Sequence, residues 1–115
     1  MNADPNCIFC RIVAGQIPSK RVHEDEHLIA FHDIHPWAPV HVLVIPRLHI
    51  ATLSDTTDEH AELLGRMLAL APRLMKQLGV VNGYRTLINT GPDGGQEVYH
   101  LHMHVMGGPR PWVKG

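Results

Sequence analysis

The sequence predicts an α+β domain built on an antiparallel meander of short strands with one long helix. Three observations indicate this class: β-branched or alternating segments follow one another, turn residues separate them, and a single long segment has helical periodicity. With 115 residues the chain has room for one hydrophobic core, so residues 1–115 are expected to form a single domain.

The first half of the chain predicts a short helix followed by three strands. In CIFCRIVAG, the residues Ile8, Ile12 and Val13 have helical spacing, and Gly15 ends the helix. IPSKRVHED and HLIAFHD have the pattern of two short strands around a turn at Asp25-Glu26. Prolines break the following loop, HPWAP, and the β-branched run VHVLVIP predicts a buried central strand.

The second half predicts the long helix and two more strands. Thr56-Thr57-Asp58-Glu59 fits a capping box that opens the helix, and Gly79 closes it. Pro72 falls inside this segment and predicts a kink or a helix in two pieces. YRTLIN and VYHLHMHVM are expected to be the fourth and fifth strands, with the glycine-rich loop TGPDGGQ between them. The apolar stripe of the helix consists of Leu64, Met67, Leu68, Ala71, Leu74, Met75 and Leu78.

Composition and charge exclude several classes of function. The formal net charge of −1 argues against non-specific nucleic-acid binding, which needs a basic face toward the phosphates. No apolar run approaches the roughly 20 residues of a transmembrane helix, and the stretch MNADPNCIFC lacks the basic and apolar regions of a secretion signal. A cytoplasmic location, with no nucleic-acid or membrane partner, is therefore expected. The unusual count is histidine, with ten residues.

Histidine recurs at every second position near the C-terminal end, in the stretch YHLHMHVMGG. Successive side chains of a strand point to opposite faces, so His100, His102 and His104 are expected to share one face. The opposite face would then pack on the core through Leu101, Met103 and Val105.

Three interpretations of this histidine row are open. It could be an exposed polar strand face, a metal site, or a site of nucleophilic catalysis in which one imidazole attacks phosphorus. The preceding glycine-rich loop favours catalysis, because glycines let the backbone approach a ligand and consecutive amides in such loops bind anions. An anion held in this loop would lie beside His102.

The pattern His100-Leu101-His102-Met103-His104-Val105-Met106 resembles the signature of the histidine triad (HIT) superfamily. Two longer segments, IPSKRVHEDEHLIAFHDIHPWAPVHVLVIPRLHI and GYRTLINTGPDGGQEVYHLHMHVMGG, are similar to the Hint branch of nucleotide-binding phosphoramidases. The resemblance implies an α+β fold with a five-stranded antiparallel sheet, a short N-terminal helix and one long central helix. It also implies a homodimer that hydrolyses purine nucleoside 5'-phosphoramidates and related adenylates to the nucleoside monophosphate.

The resemblance also implies the catalytic residues. The middle histidine of the family is the nucleophile and falls on His102, which would form a covalent nucleotidyl-histidine intermediate that water then hydrolyses. His104 would hydrogen-bond the phosphate oxygens or the leaving group. His41 matches another family histidine that faces the active site.

Nucleotide-binding positions are implied in the same way. Asp33 matches an acidic residue that holds the ribose hydroxyls. Glu97 stands where many members have a serine that donates to the phosphate, so only its backbone N–H could make that contact. Trp112 resembles a C-terminal tryptophan that reaches the partner's active site, although the tail here is shorter. The remaining positions are Phe9, Phe31 and Ile34 around the base, Asn89 near the ribose and phosphate, and the loop residues Gly95 and Gln96, whose amides would meet the phosphate.

Cys7 and Cys10 form a C-x-x-C, which in a reducing compartment is a redox pair or half of a metal site. The βαβ context of a redox motif is absent from the predicted elements. Some members of the superfamily bind structural zinc through two N-terminal cysteines, a histidine after the central strand and the first triad histidine. By that resemblance the zinc ligands are Cys7, Cys10, His49 and His100; two free thiols are the alternative, and no organic cofactor is implied.

Other functions stay open at this level. A dinucleoside polyphosphate hydrolase of the Fhit-like branch would share the same nucleophile. The galactose-1-phosphate uridylyltransferase branch is less favoured, because it has glutamine at the position of His104. A non-catalytic nucleotide sensor is the alternative from another class, and the intact His102 argues against it.

Overall fold

The computed structural model describes residues 3–113 as a five-stranded antiparallel sheet with one helix on each face. The strand order is β1-β2-β3-β5-β4, so β3 and β5 are next to each other inside the sheet. In chain order the elements are α1 (Ile8–Val13), β1 (Arg21–Glu24), β2 (Leu28–His32), β3 (Val40–Pro46), α2 (Ala61–Gln77), β4 (Tyr84–Leu87) and β5 (Met103–Gly107), with single 3₁₀ turns at Leu53–Asp55 and Asp58–His60 before α2.

One face of the sheet forms the larger core with α2. The period-2 alternation of the strands places the side chains of Val42 and Val44 on this face, paired across the ladder with Val105 and Met103. Leu101 also packs in this core, as the alternation of the histidine segment predicted. From α2 the buried side chains are Met67, Leu70, Ala71, Leu74 and Met75.

The opposite face of the sheet carries a second, smaller apolar cluster under α1. Leu43 and Ile45 alternate with the residues of the larger core, and they pack with Phe9 and Ile12 of the short helix. The histidine face of β5 is on this side, because Leu43 pairs with His104. The sheet is therefore covered on both faces, and the histidine row lies beside α1 rather than on an open surface.

The fifth strand is shorter than predicted. VYHLHMHVM was expected to be strand throughout, but β5 begins at Met103 and leaves His100 and His102 before the ladder. The ladder between β3 and β5 ends at the pair of Val44 with Met103, and beyond it the carbonyl of Pro46 accepts a hydrogen bond from the ring of His100 (2.8 Å).

The region around α2 departs from the prediction in three details. The capping box is one residue later than expected: Thr57 Oγ1 accepts the N–H of Glu59, and Thr57 N–H donates to Nδ1 of His60 (3.0 Å). Leu68 was predicted to be in the apolar stripe, but its side chain is 56 % exposed, whereas the omitted Leu70 is buried. The helix runs through Pro72 in one piece, because this residue lies on the exposed side, where water reaches the carbonyl that a proline leaves without a donor.

The remaining elements agree with the prediction to within a few residues. β3 has the predicted bounds, and Asp25 makes the predicted turn by accepting the N–H groups of His27 and Leu28 on its carboxylate (2.8 Å each). Within residues 3–113 neither helix is long and apolar enough to cross a membrane. The predicted single domain extends over residues 1–115, of which 1, 2, 114 and 115 lie outside the described range.

Replacing Leu74 by alanine is expected to lower the free energy of unfolding by about 2–5 kcal/mol, the cost of a buried cavity of this size. Leu74 is 1 % exposed and packs in the larger core. Urea denaturation followed by circular dichroism measures this change. Arg73→Ala, at the neighbouring exposed position of the same helix, is the control and should change stability by less than about 0.5 kcal/mol. Equal effects of the two substitutions would contradict the proposed burial of this helix face.

Candidate active site and metal cluster

The candidate active site begins with two histidines on adjacent strands. His41 of β3 pairs with Met106, and His104 lies two residues before Met106 on the same face of β5. This diagonal relation brings the two rings together, with Nε2 of His41 2.9 Å from Nδ1 of His104. The side chain of His41 is 1 % exposed.

A backbone amide determines how these two rings share their protons. The N–H of Trp37 donates to Nδ1 of His41 (3.0 Å), so in the neutral ring the proton of His41 is on Nε2. Nε2–H of His41 then donates to Nδ1 of His104, which places the proton of His104 on its outer nitrogen, Nε2. His104 thereby presents a hydrogen-bond donor rather than a lone pair.

Trp37 also belongs to this site, although the sequence of its segment, HPWAP, predicted only a loop broken by prolines. Its indole is stacked on the ring of His104, with centroids 6.0 Å apart and an interplanar angle of 15°, and contacts His41 edge-on. The signal available in the sequence was a large aromatic residue four positions before His41.

His102 has the opposite arrangement of proton and lone pair. Its Nδ1 lies 2.7 Å from the carbonyl oxygen of His100, and since a carbonyl only accepts, Nδ1 of His102 carries the proton. The lone pair is therefore on Nε2. The ring of His102 is in edge contact with that of His104, with centroids 5.1 Å apart.

Burial keeps this group of imidazoles neutral near pH 7. It lowers the pKa of His102, and it lowers the pKa of His41 against the opposing charge of Asp33. Burial, together with the neighbouring His102 and His41 rings, lowers the pKa of His104 to about 4. Neutral rings are the form that the tautomers derived above require.

Asp33 lies at the margin of the same group. Its Oδ2 is 3.5 Å from Nε2 of His41, and its Oδ1 accepts the N–H of His35. Asp33, His41 and His104 are close enough together to suggest a metal site. However, a metal on Nε2 of His41 would need the proton on Nδ1, where it would oppose the N–H of Trp37. The geometry is that of a hydrogen-bonded chain.

The predicted base-binding residues are divided between the interior and the surface. Phe9 and Phe31 are buried and contact each other edge-on, with centroids 5.7 Å apart. Ile34 is 86 % exposed. The structure therefore leaves Ile34 available to a ligand, whereas the two phenylalanines are part of the apolar cluster under α1.

The glycine-rich loop is closed on itself by its own polar groups. The N–H of Gln96 donates to the carbonyl of Gly91 and that of Gly95 to the carbonyl of Pro92, so these two amides are engaged within the loop. The Gln96 side chain is buried and donates to the carbonyls of Ala51 and Val98. A Cβ at Gly94 would lie 2.3 Å from a backbone oxygen, which explains the glycine at this position.

The other predicted loop and tail positions are near the surface. Asn89 donates from its side chain to the carbonyl of Gly94 (2.7 Å), and Glu97 is exposed. Trp112 donates from its indole to the carbonyl of Gly108, and the guanidinium groups of Arg85 and Arg110 lie 5.2 Å and 3.8 Å from its ring centroid. This tryptophan therefore packs on residues of its own chain.

The four predicted metal ligands converge at one point beside the histidine row. Sγ of Cys7 is 3.3 Å from Nδ1 of His100, and Sγ of Cys10 is 3.2 Å from Nδ1 of His49. The two Nδ1 atoms are 3.3 Å apart. Ligands at zinc-like bond lengths in a tetrahedron are separated by about 3.3–3.8 Å, so the donor atoms have approximately the spacing of a Cys₂His₂ site. These four residues could hold a metal ion.

Groups around the cluster orient its donors toward the centre. Nε2–H of His100 donates to the carbonyl of Pro46 (2.8 Å), which leaves the lone pair of Nδ1 facing the sulfur atoms. The N–H of Cys10 donates to Sγ of Cys7, and the N–H of Asp4 donates to Sγ of Cys10. Hydrogen bonds of this kind stabilise a coordinated thiolate. His100 is fully buried, and both of its ring nitrogens are thereby committed outside the catalytic group.

The model of the family described as HIT domain matches residues 14–110. The chain belongs to the HIT domain family. A purine nucleoside phosphoramidase from Escherichia coli strain K12 is 47 % identical over 102 residues, which cover 88 % of this chain and 86 % of that relative.

Solved structures of HIT proteins have the same fold. A histidine triad protein from Clostridium difficile is 39 % identical, with a TM-score of 0.91 over 96 % of each chain. A Zn-bound histidine triad family protein from Mycobacterium smegmatis is 36 % identical, with a TM-score of 0.79 over 89 % of this chain and 74 % of that one. The predicted α+β fold and the resemblance to the HIT superfamily are thus confirmed.

The free energy of unfolding is expected to fall as the pH is lowered from 6.5 toward 4, in part through His104. The pKa of His104 is lowered from 6.5 to about 4 in the fold, so in this window the unfolded chain binds a proton that the folded chain does not, and protonation favours unfolding. Urea denaturation at several pH values should give a smaller slope for His104→Gln than for the wild type. His35→Gln, at an exposed position, is the control and should keep the wild-type slope. If the free energy of unfolding of His104→Gln depended on pH as steeply as that of the wild type, the lowered pKa of His104 would be disproved.

Proposed function

We propose that this HIT protein hydrolyses purine nucleoside 5'-phosphoramidates and related adenylates, with His102 as the nucleophile. The observation that carries the proposal is the pairing of two adjacent imidazoles with opposite tautomers. His102 has its lone pair on Nε2 because Nδ1–H donates to the His100 carbonyl, and His104 has its proton on Nε2. One ring can attack phosphorus while the other donates a hydrogen bond.

The reaction would proceed in two displacements. Nε2 of His102 attacks the α-phosphorus, the P–N bond to the amine breaks, and the amine leaves with a proton. Nε2–H of His104 would hydrogen-bond a phosphate oxygen or supply that proton. Water then attacks phosphorus, one of its protons replaces the proton lost to the amine, the bond to His102 breaks, and the nucleoside monophosphate is released. The covalent intermediate divides one difficult displacement into two easier ones.

Binding of the nucleotide is assigned to groups around this pair. The carboxylate of Asp33 would accept hydrogen bonds from the ribose hydroxyls, and the exposed Ile34 would contact the base. The backbone N–H of Glu97 would donate to the phosphate, since the N–H groups of Gly95 and Gln96 donate to carbonyls within the loop. The E. coli relative named a purine nucleoside phosphoramidase supports this choice of substrate. Homodimer assembly and a cytoplasmic location stay predictions.

We further propose that the Cys/His cluster, defined as Cys7, Cys10, His49 and His100, binds structural zinc. The spacing of the donor atoms, the lone pair of His100 and the N–H groups directed at both sulfur atoms all fit a tetrahedral Zn²⁺. Bound zinc would join the N-terminal helix α1 to the chain just before β5. The Zn-bound relative from M. smegmatis supports this assignment.

His102→Ala is expected to bind AMP but to lower the release of AMP from an adenosine 5'-phosphoramidate by at least about 1,000-fold, because it removes the nucleophile. The release is measured by chromatography, and a dinucleoside polyphosphate is assayed in parallel to test the Fhit-like alternative. His35→Ala, an exposed histidine outside the group, is the control and should retain wild-type turnover. Wild-type turnover by His102→Ala would exclude His102 as the nucleophile. Binding without turnover by the wild type would favour a nucleotide sensor.

Purified protein is expected to contain one zinc ion per chain, measured by plasma mass spectrometry after dialysis. Cys10→Ser removes one of the four donors and should lower the zinc content well below one per chain. Asp58→Ser, at an exposed site away from the cluster, is the control and should retain the metal. Zinc-free wild-type protein, or an unchanged content in Cys10→Ser, would refute the site.

A further inference from the structure

The Cys/His cluster and the nucleophile are neighbours in the chain, and two separate contacts join them. The first is through the backbone: His100 belongs to the cluster through its ring, while its carbonyl accepts the Nδ1–H of His102 (2.7 Å). This single hydrogen bond selects the tautomer of His102 that has its lone pair on Nε2.

The second contact is between the ring of His102 and Phe9, which lies between the two cysteines in the sequence. The edge-on contact of Phe9 with His102 has a centroid distance of 5.1 Å and an interplanar angle of 88°. Phe9 also contacts His100, at 5.9 Å. Because Cys7 is the N-cap of α1 and Cys10 lies within this helix of six residues, the position of the Phe9 ring depends on where the two sulfur atoms are held.

We propose that metal binding by the Cys/His cluster positions His102 for attack. The ring of His100 is held from both sides, by the Pro46 carbonyl on Nε2 and by the cluster on Nδ1, so its backbone carbonyl has a fixed direction toward His102. By anchoring α1, the cluster also holds the ring of Phe9 in its edge-on contact with His102. His100 and Phe9 are thus positioning residues, and this inference rests on the proposed function and on the proposed zinc site.

Without the metal, the contacts that fix His102 lose their support. The donors of Cys7, Cys10, His49 and His100 would then face one another without a cation between them. α1 would be held by its small apolar cluster and by the Arg21 guanidinium, which donates to the carbonyl of Ile12. The His100 carbonyl and the Phe9 ring could move, and His102 would exchange between its two tautomers. In the tautomer with the proton on Nε2, the atom that faces the substrate has no lone pair.

The first test compares the tautomer of His102 in zinc-loaded and chelator-stripped protein, by ¹⁵N NMR of histidine-labelled chain without substrate. The zinc-loaded protein should have a single tautomer with the proton on Nδ1, and the stripped protein a mixture. In steady-state kinetics, stripping should lower kcat about 10- to 100-fold and leave KM within about threefold, because orientation rather than binding is lost. An unchanged tautomer and kcat in folded, stripped protein would overturn the proposal.

The second test leaves all four ligands in place and applies even if the stripped chain unfolds. Phe9→Leu should retain one zinc per chain but give the mixed tautomer of His102, whereas the control Ile12→Val, in the same helix and cluster, should keep the single tautomer. A single tautomer in Phe9→Leu would remove Phe9 from the proposal.

The two readouts separate this inference from the proposed function. A zinc-dependent tautomer in protein without phosphoramidase activity would uphold the positioning and refute the proposed substrate. If the stripped protein kept both its phosphoramidase activity and the single tautomer, the proposed function would be upheld and the positioning by metal would be refuted.

Discussion

The antiparallel pairing of β3 with β5 is the constraint on which the sheet, the histidine group of His41, His102 and His104, and the Cys/His cluster all depend. Its register sets His41 diagonally beside His104 and directs both rings to the side of α1. A shift by one residue would turn His104 toward the core formed with α2 and bring Val105 to the histidine side. The apolar residues between the histidines therefore matter as much to the site as the histidines, because their burial fixes the register.

The tautomers of three of these histidines follow from their different backbone partners. The Trp37 amide donates to His41, the carbonyl of His100 accepts from His102, and the carbonyl of Pro46 accepts from His100. An amide that donates leaves a proton on the far ring nitrogen, whereas a carbonyl that accepts leaves a lone pair there. Fixed hydrogen bonds thus give chemically identical rings different tautomers: Nε2 carries the proton in His41 and His104, and the lone pair in His102.

The period of the sequence predicted most of the fold and the shared face of the histidines, whereas the other candidate site residues came from the resemblance to the HIT superfamily. Neither indicated how these residues are covered. Alternation in VHVLVIP and in the histidine segment gave the two faces correctly, because Val42 and Val105 can be buried in only one register. The same period could not indicate that His102 lies outside the ladder, in the segment where the ring of His100 donates to the carbonyl of Pro46. Nor could it indicate the stacking of Trp37 on His104, since that contact depends on the path of a loop. The same limit applies to Gln96, because its side-chain hydrogen bonds to the carbonyls of Ala51 and Val98 depend on how the glycine-rich loop folds back.

The Cys/His cluster joins two parts of this small domain that are far apart in the sequence. Cys7 and His100 are 93 residues apart in the chain, and α1 has only six residues with which to bury its apolar side. A helix of that length does not form alone, since nucleation is costly and few hydrogen bonds repay it. An ion coordinated by both ends of the chain restricts the unfolded ensemble most when the loop it closes is long. A metal ion in the Cys/His cluster would therefore anchor the N-terminal segment to His100, just before β5. The proposed nucleophile, His102, is two residues beyond His100.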